Sequence, residues 1–293
     1  MTATTTPDTS QDGFGPWREI FNGRDLTGWR PIPRIPAPMW PGGPYHQDVY
    51  PGYMEKCATT SGRWEVIDGA IVGGQEPPGC GLGGYLLSEE VFGDFELTYD
   101  IKPDWPADTG VLVRATEMGT QGLQILCDHR QSGGIGGFYG NGTGSFHALA
   151  FNIDAVRDAD GRPVGLKIES PQETREPVTD AKKALLSYAA QPEEFLAAWR
   201  WGDWNTFKVR CVGKYPVLTS WVNGVKLYQL DTGAMDWPTY DRDAVATLLG
   251  RAGHIALEVH DNDPGLGAGR WGPGAVVRWR HLAVRESAIA DPT

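Results

Sequence analysis

Residues Phe95–Asp128, FELTYDIKPDWPADTGVLVRATEMGTQGLQILCD, hold three strand signals in succession. In the first, Phe95, Leu97, Tyr99 and Ile101 alternate with polar residues. In Gly110–Ala115, Val111 and Val113 take one face, Leu112 and Arg114 the other. In Gly122–Asp128, Leu123, Ile125 and Cys127 oppose Gln124, Leu126 and Asp128. A period of two marks half-buried strands, because successive side chains point to opposite faces of a sheet.

The same signals continue in both directions. Trp64–Val72 (WEVIDGAIV) reads as a hairpin turning at Asp68-Gly69, and Tyr85–Ser88 as a short strand. Downstream, Asn205–Val212, Leu218–Val222 and Lys226–Leu230 are strands, the last two joined by Asn223-Gly224, the strongest hairpin signal in the chain. Gly253–Pro264 (GHIALEVHDNDP) and Ala275–Val284 complete the set. Helix is expected only in Thr179–Arg200, broken at Pro192, and in Asp241–Gly250. Residues Arg30–Ser61 and Phe151–Pro177 lack periodicity and read as long loops. The expectation is an all-β sandwich of two antiparallel sheets, with long loop insertions and a few short helices. Residues 1–15 form a tail, and 16–287 a single domain with insertions near 30–61 and 151–200.

Composition narrows the function classes. A net charge of -11 over 293 residues argues against nucleic acid, whose phosphates need clustered cations. No apolar run is long enough to span a membrane. The opening MTATTTPDTSQDGFGPW lacks a basic and an apolar region, so the cytoplasm is the expected compartment. Four cysteines without CxxC spacing, with Cys127 and Cys211 in strand-like runs, read as free thiols. The glycine-dense Ser132–Gly144 is followed by no helix, so no nucleotide cofactor is expected. Twelve Trp suit both cores and sugar stacking.

Gly253–Pro264 carries the densest chemistry. Glu258 and His260 share one strand face, and Asp261-Asn262-Asp263 follows at once. If the late strand neighbours Gly110–Ala115 and Gly122–Asp128, then Arg114, Gln124, Asp128, Glu258 and His260 project into one groove. His129 and His147 are further candidates, while His46, His254 and His281 read as structural. The Asp261–Asp263 run has three readings. It suits a Ca²⁺-type oxygen cluster, it joins a mixed His and carboxylate set of the Mn, Fe or Zn type, or it is an Asx-rich turn before Pro264.

In order along the chain, several motifs resemble the 3-keto-disaccharide hydrolase family, which has a concanavalin A-like jelly roll. Phe21–Trp29 (FNGRDLTGW) is similar to its opening FNGKDLxGW, followed by Trp64–Gly69 (WEVIDG) and Phe92–Phe95 (FGDF). Asp108–Arg114 (DTGVLVR) is similar to NSGIxxR, Trp204-Asn205 to EWN, Val222–Gly224 to LNG, and Glu258–His260 to QxH. The sequence departs from the family in a paired way. Gln124 stands where the family's GxExQxxD strand has Glu, and Glu258 stands where Gln is usual. A carboxylate has moved from one strand to another.

The resemblance implies an enzyme acting on small glycosides already oxidised at C3 by a separate dehydrogenase. The ketone acidifies the C2 proton, a base removes it, and the C1 substituent leaves by β-elimination. Water can then add back to give the 3-keto sugar. On this reading His260 is the base or a metal ligand, with Glu258 tuning its basicity or binding metal. Arg114 and a divalent cation (Ca, Mn, Fe or Zn) hold the C3 oxygen. Asp128, His129 and His147 supply metal ligands or the leaving-group acid, with Asp261 and Asp263 as the alternative metal set. Gln124, Asp261, Trp201 and Trp271 contact the sugar or aglycone. The competing classes are a non-catalytic carbohydrate-binding module and a conventional glycan hydrolase or lyase, though no ExDxxE strand is present. A homo-oligomer with an interface built from Arg30–Ser61 is compatible with the sequence.

Overall fold

A computed structural model describes residues 13–262 and 267–287. Two antiparallel sheets face one another, the jelly-roll sandwich that the alternation implies. The outer sheet has nine strands. Eight run in the order Leu186–Ala189, Val225–Asp231, Val217–Val222, Asn205–Val212, Phe95–Pro103, Val276–Glu286, Ala70–Gly74, Arg63–Ile67, and Arg18–Glu19 pairs beside Val276–Glu286. The inner sheet has seven, in the order His147–Ala148, Ile135–Asn141, Gly122–Asp128, Asp108–Ala115, His254–Val259, Gly84–Ser88, Trp29–Pro33.

The alternation names the core correctly. Leu97, Tyr99, Ile101, Phe207 and Val209 meet Val111, Val113, Leu123, Ile125 and Leu257 in one buried cluster. Each such side chain contributes roughly 1.5–3 kcal/mol on leaving water. Cys127 and Cys211 are buried free thiols, as expected, and Cys57 and Cys80 are free as well.

The two aperiodic segments are more ordered than their sequences suggest. Residues Arg30–Ser61 begin within the edge strand Trp29–Pro33 and contain the helix Tyr53–Cys57. Ile32 packs on a small second cluster of Tyr85, Leu87, Leu112, Ala115 and Ala256, on the inner sheet's outward face. The chain then crosses that face. Its far side is pinned where Gly144 N and Ser145 Oγ donate to Met39 O at 2.9 and 3.3 Å. Within Phe151–Pro177 a hairpin forms, Ile153–Arg157 against Pro163–Ile168. Thr179–Arg200 is two short helices, Asp180–Ala184 and Pro192–Ala198, separated by an edge strand. The helix Arg242–Leu249 is capped by Asp241, whose side chain accepts from the Asp243 and Ala244 amides. No described helix is long and apolar enough to cross a membrane.

Candidate functional site

Strand register places Asp108 directly opposite Asp128 on neighbouring strands. Like charges at such a position repel, since facing side chains lie about 5 Å apart. Arg130 offsets this: its Nη2 donates to Asp128 Oδ2 at 2.6 Å and to Asp108 Oδ2 at 3.1 Å. Arg270 Nη1 also donates to Asp108 Oδ2. The pair therefore splits. Asp108 is buried, yet Arg130 foremost, with Arg270, holds its carboxyl well below the usual range. Burial first, and then the Asp108 charge, push the Asp128 carboxyl up to about 6.

Glu258 is fully buried and lies on the face the alternation predicts. Gln124 Nε2 donates to its Oε2. Arg34 Nε donates to Oε1 at 2.9 Å, as does Tyr85 Oη at 3.2 Å. The strand between Gln124 and Glu258 carries Gly110, where an added Cβ would lie 2.5 Å from Gln124 Nε2 and 2.8 Å from Ile125 O. The missing side chain at Gly110 is what gives Gln124 its path.

Arg34 continues into the next two residues. Its Nη1 donates to Asp261 Oδ1, and its Nη2 lies 3.1 Å from His260 Nε2. Tyr53 Oη donates to the other Asp261 oxygen. His260 Nδ1 lies 2.7 Å from the Asp261 carbonyl, which can only accept, so Nδ1 carries the hydrogen and Nε2 accepts from Arg34. Burial opposes ionisation of Asp261, but Arg34, then His260 and Tyr53, hold its carboxyl well below the usual range.

Above these groups lies a cavity of about 480 Å³. Asp108, Gln124, Asp128, Arg130, Arg270, His147, His260 and Asp261 line it from the sheet side. Arg34, Met39 and Tyr53 of the insertion line it from above. His147 sits on the edge strand in register with Tyr139, which itself faces Gln124, so all three share one row. Burial lowers the His147 ring to about 4, and its Nε2 is buried without a hydrogen-bond partner among the described residues. A neutral imidazole lining a polar cavity is a ready proton acceptor.

Other expected site residues lie elsewhere. Arg114 is 1% exposed and points away from the cavity. Register shifts between His254 and Ala256, so Val113 and Arg114 together oppose Ile255, and Arg114 takes φ +52°. This bulge reverses the alternation and sends the guanidinium to Asp94 Oδ1 at 2.8 Å and the Gly93 and Gly250 carbonyls. His129 follows the last strand residue and turns out of the row. Its ring packs on Trp105 and Trp201, and Nε2 faces Asp104 O at 3.2 Å. Burial lowers it to about 4. Trp201 thus packs on His129 instead of lining the cavity. Trp271 is fully buried core, donating to Ala275 O at 3.0 Å. Asp263 lies outside the described residues. Conversely, His46, read as structural, lines the cavity.

The expected divalent cation does not fit these residues. His129 is turned away from Asp128, and both Glu258 oxygens, both Asp261 oxygens and both His260 nitrogens are engaged. Among the described residues, no group of three or more His, Cys, Asp or Glu side chains could hold a metal ion.

The sequence reading missed Arg34, Tyr53, Asp108, Arg130 and Arg270. Asp108 and Arg130 had a signal: each adjoins a strand already assigned to the groove. Arg34 and Tyr53 had none, since they come from a segment without periodicity.

Fold and cavity together define a jelly-roll protein with a charged site beneath the Arg30–Ser61 insertion. The chain belongs to the 3-keto-alpha-glucoside-1,2-lyase-like domain family, matched over residues 16–285. Solved structures similar to it include a putative glycosyl hydrolase from Parabacteroides distasonis (16% identity, TM-score 0.47, 94% of each chain covered). A β-glucanase from Bacillus licheniformis is similar at 10% identity and TM-score 0.39, covering 94% of this chain and 99% of that one. The carbohydrate-binding module CBM66 from Bacillus subtilis is similar at 11% identity and TM-score 0.42, covering 77% and 92%. No curated protein is significantly similar to the chain.

Proposed function

We propose that this protein cleaves small 3-keto-glycosides by removing the C2 proton and eliminating the C1 substituent, after which water can add to give the 3-keto sugar. The observation that carries this reading is His147, a neutral ring on a cavity that also holds a carboxyl raised to about 6 at Asp128. One group is fit to take a proton and the other to give one.

The His147 ring takes the C2 proton. The electron pair moves into the C2–C3 bond as the ketone becomes an enolate, whose oxygen the cavity guanidinium groups stabilise. The pair then returns to form the C1–C2 double bond as the bond from C1 to the leaving group breaks. Asp128 protonates the departing atom. His260, first in line as base from sequence, has its Nε2 lone pair directed at Arg34 and is assigned to positioning. The cavity volume suits a sugar ring with a modest substituent, and the insertion that covers it suits single glycosides better than a polymer chain.

The test is a 3-keto-glucoside incubated in deuterium oxide. Deuterium entering C2 and release of the aglycone are expected together. An intact substrate with no exchange, bound but unchanged, would favour a carbohydrate-binding module instead.

A further inference from the structure

Three residues nominated as metal ligands, Glu258, His260 and Asp261, converge on one guanidinium. Arg34 Nε reaches Glu258 Oε1 at 2.9 Å, Nη2 reaches His260 Nε2 at 3.1 Å, and Nη1 reaches Asp261 Oδ1. The Arg34 side chain is 15% exposed, and the carboxylates it serves are 0% and 10% exposed. Two buried carboxylates need a compensating cation close by, and a guanidinium can satisfy several acceptors at once in a plane. The other oxygen of each carboxylate also has a donor. Gln124 and Tyr85 donate to Glu258, Tyr53 donates to Asp261, and the His260 Nδ1 hydrogen goes to the Asp261 carbonyl. Asp108 and Asp128, on the sheet side of the cavity, have Arg130 and Arg270 as their cations.

We infer that Arg34 is the resident cation of this site and stands where a divalent metal would otherwise bind, so that the protein holds its acidic residues in place without one. The insertion Arg30–Ser61 brings the charge across the cavity mouth on a strand and loop tied down at Ile32 and Met39. The positive charge is then fixed by the chain and independent of metal supply. This inference concerns the resting site and does not depend on which glycoside is cleaved.

The experiment begins with the purified full chain, prepared without chelator. Metal content is measured by plasma mass spectrometry, and thermal unfolding is followed with EDTA, Mn²⁺, Zn²⁺ or Ca²⁺ at millimolar concentration. The expected result is well below one metal ion per chain and no shift of Tm under any of these conditions. About one tightly held ion per chain, with a Tm that falls in EDTA and recovers on adding the metal, overturns the inference. Calorimetric binding of 3-keto-glucose adds a second reading. Wild type should bind it equally in EDTA and in Mn²⁺. Arg34→Met should weaken binding at least tenfold, and Arg34→Lys by less. Binding that requires Mn²⁺, or Arg34→Met binding as wild type does, also overturns it. Should Arg34→Met not fold, the wild-type arms and Arg34→Lys still decide. If wild type fails to bind 3-keto-glucose at all, the proposed activity is in doubt while the metal and Tm measurements still decide the role of Arg34.

Discussion

Gln124 donates its amide hydrogen to Glu258 across an intervening strand, through the space that Gly110 leaves open. The amide and carboxylate that the motif resemblance marks as exchanged between strands are therefore hydrogen-bonded partners. One carboxylate and one amide are present in either arrangement, with their strands exchanged. The exchange moves the negative charge to the position that Arg34 reaches.

Reversing the pair tests that relationship. Gln124→Glu alone puts two carboxylates in contact, and Glu258→Gln alone leaves Arg34 short of an anion. Each is expected to cost about 2–4 kcal/mol, the scale of an uncompensated buried charge. The double variant should be less destabilised than the sum of the two, read by denaturant unfolding at constant m value. Simple additivity would show that the contact carries no coupling.

Gly110→Ala should act on the same contact from below. Its Cβ would fall 2.5 Å from Gln124 Nε2 and 2.8 Å from a backbone carbonyl, so the Gln124 side chain has to withdraw. The expected cost is about 1–3 kcal/mol, typical of overpacking, with a loss of activity beyond the loss of folded protein. Unchanged stability would mean that Gln124 has another path.

His147→Gln removes the proposed base and keeps a polar side chain of similar reach. Exchange of the C2 proton should fall by roughly 100-fold or more, with KM little altered. Full exchange in this variant would return the base role to another residue.

Asp128 predicts a pH effect whose sign follows from its raised carboxyl. Between about 4 and about 6 the folded chain holds a proton on Asp128 that the unfolded chain has released. This group's contribution to stability is thus present at low pH and declines as pH rises through that window. Asp128→Asn removes the dependence. Its stability relative to wild type should rise by about 2 kcal/mol from pH 4 to pH 7. In activity, the limb of kcat/KM that falls above pH 6 should disappear along with most of the rate. An unaltered profile would remove Asp128 as the acid.

Arg114, expected from sequence at the site, should behave as a structural residue. Arg114→Met leaves Asp94 and three backbone carbonyls short of a donor, at about 3 kcal/mol. For the fraction that remains folded, kcat/KM should stay within about twofold of wild type, since such a site lies outside the cavity. A selective collapse of kcat would place Arg114 in the reaction after all.

The sequence by itself determined the sandwich, its core faces and the face on which Gln124, Asp128 and Glu258 each lie, because a period of two is a local property of each strand; that their strands are neighbours came from the tertiary structure. It also determined the exchange of carboxylate and amide, since both positions sit in ordered motifs. Tertiary structure alone decided the rest, for three physical reasons. A single left-handed residue at Arg114 turned one predicted site residue into the interior, and the alternation that named the face cannot register such a bulge. His129 and Trp201 pack together, because the chain leaves the sheet after Asp128 and the row ends with it. Arg34, the cation around which Glu258, His260 and Asp261 are arranged, comes from 224 residues before Glu258, in a segment with no pattern to read. A buried carboxylate announces that a cation must exist. Which cation it is depends on which distant part of the chain folds over it.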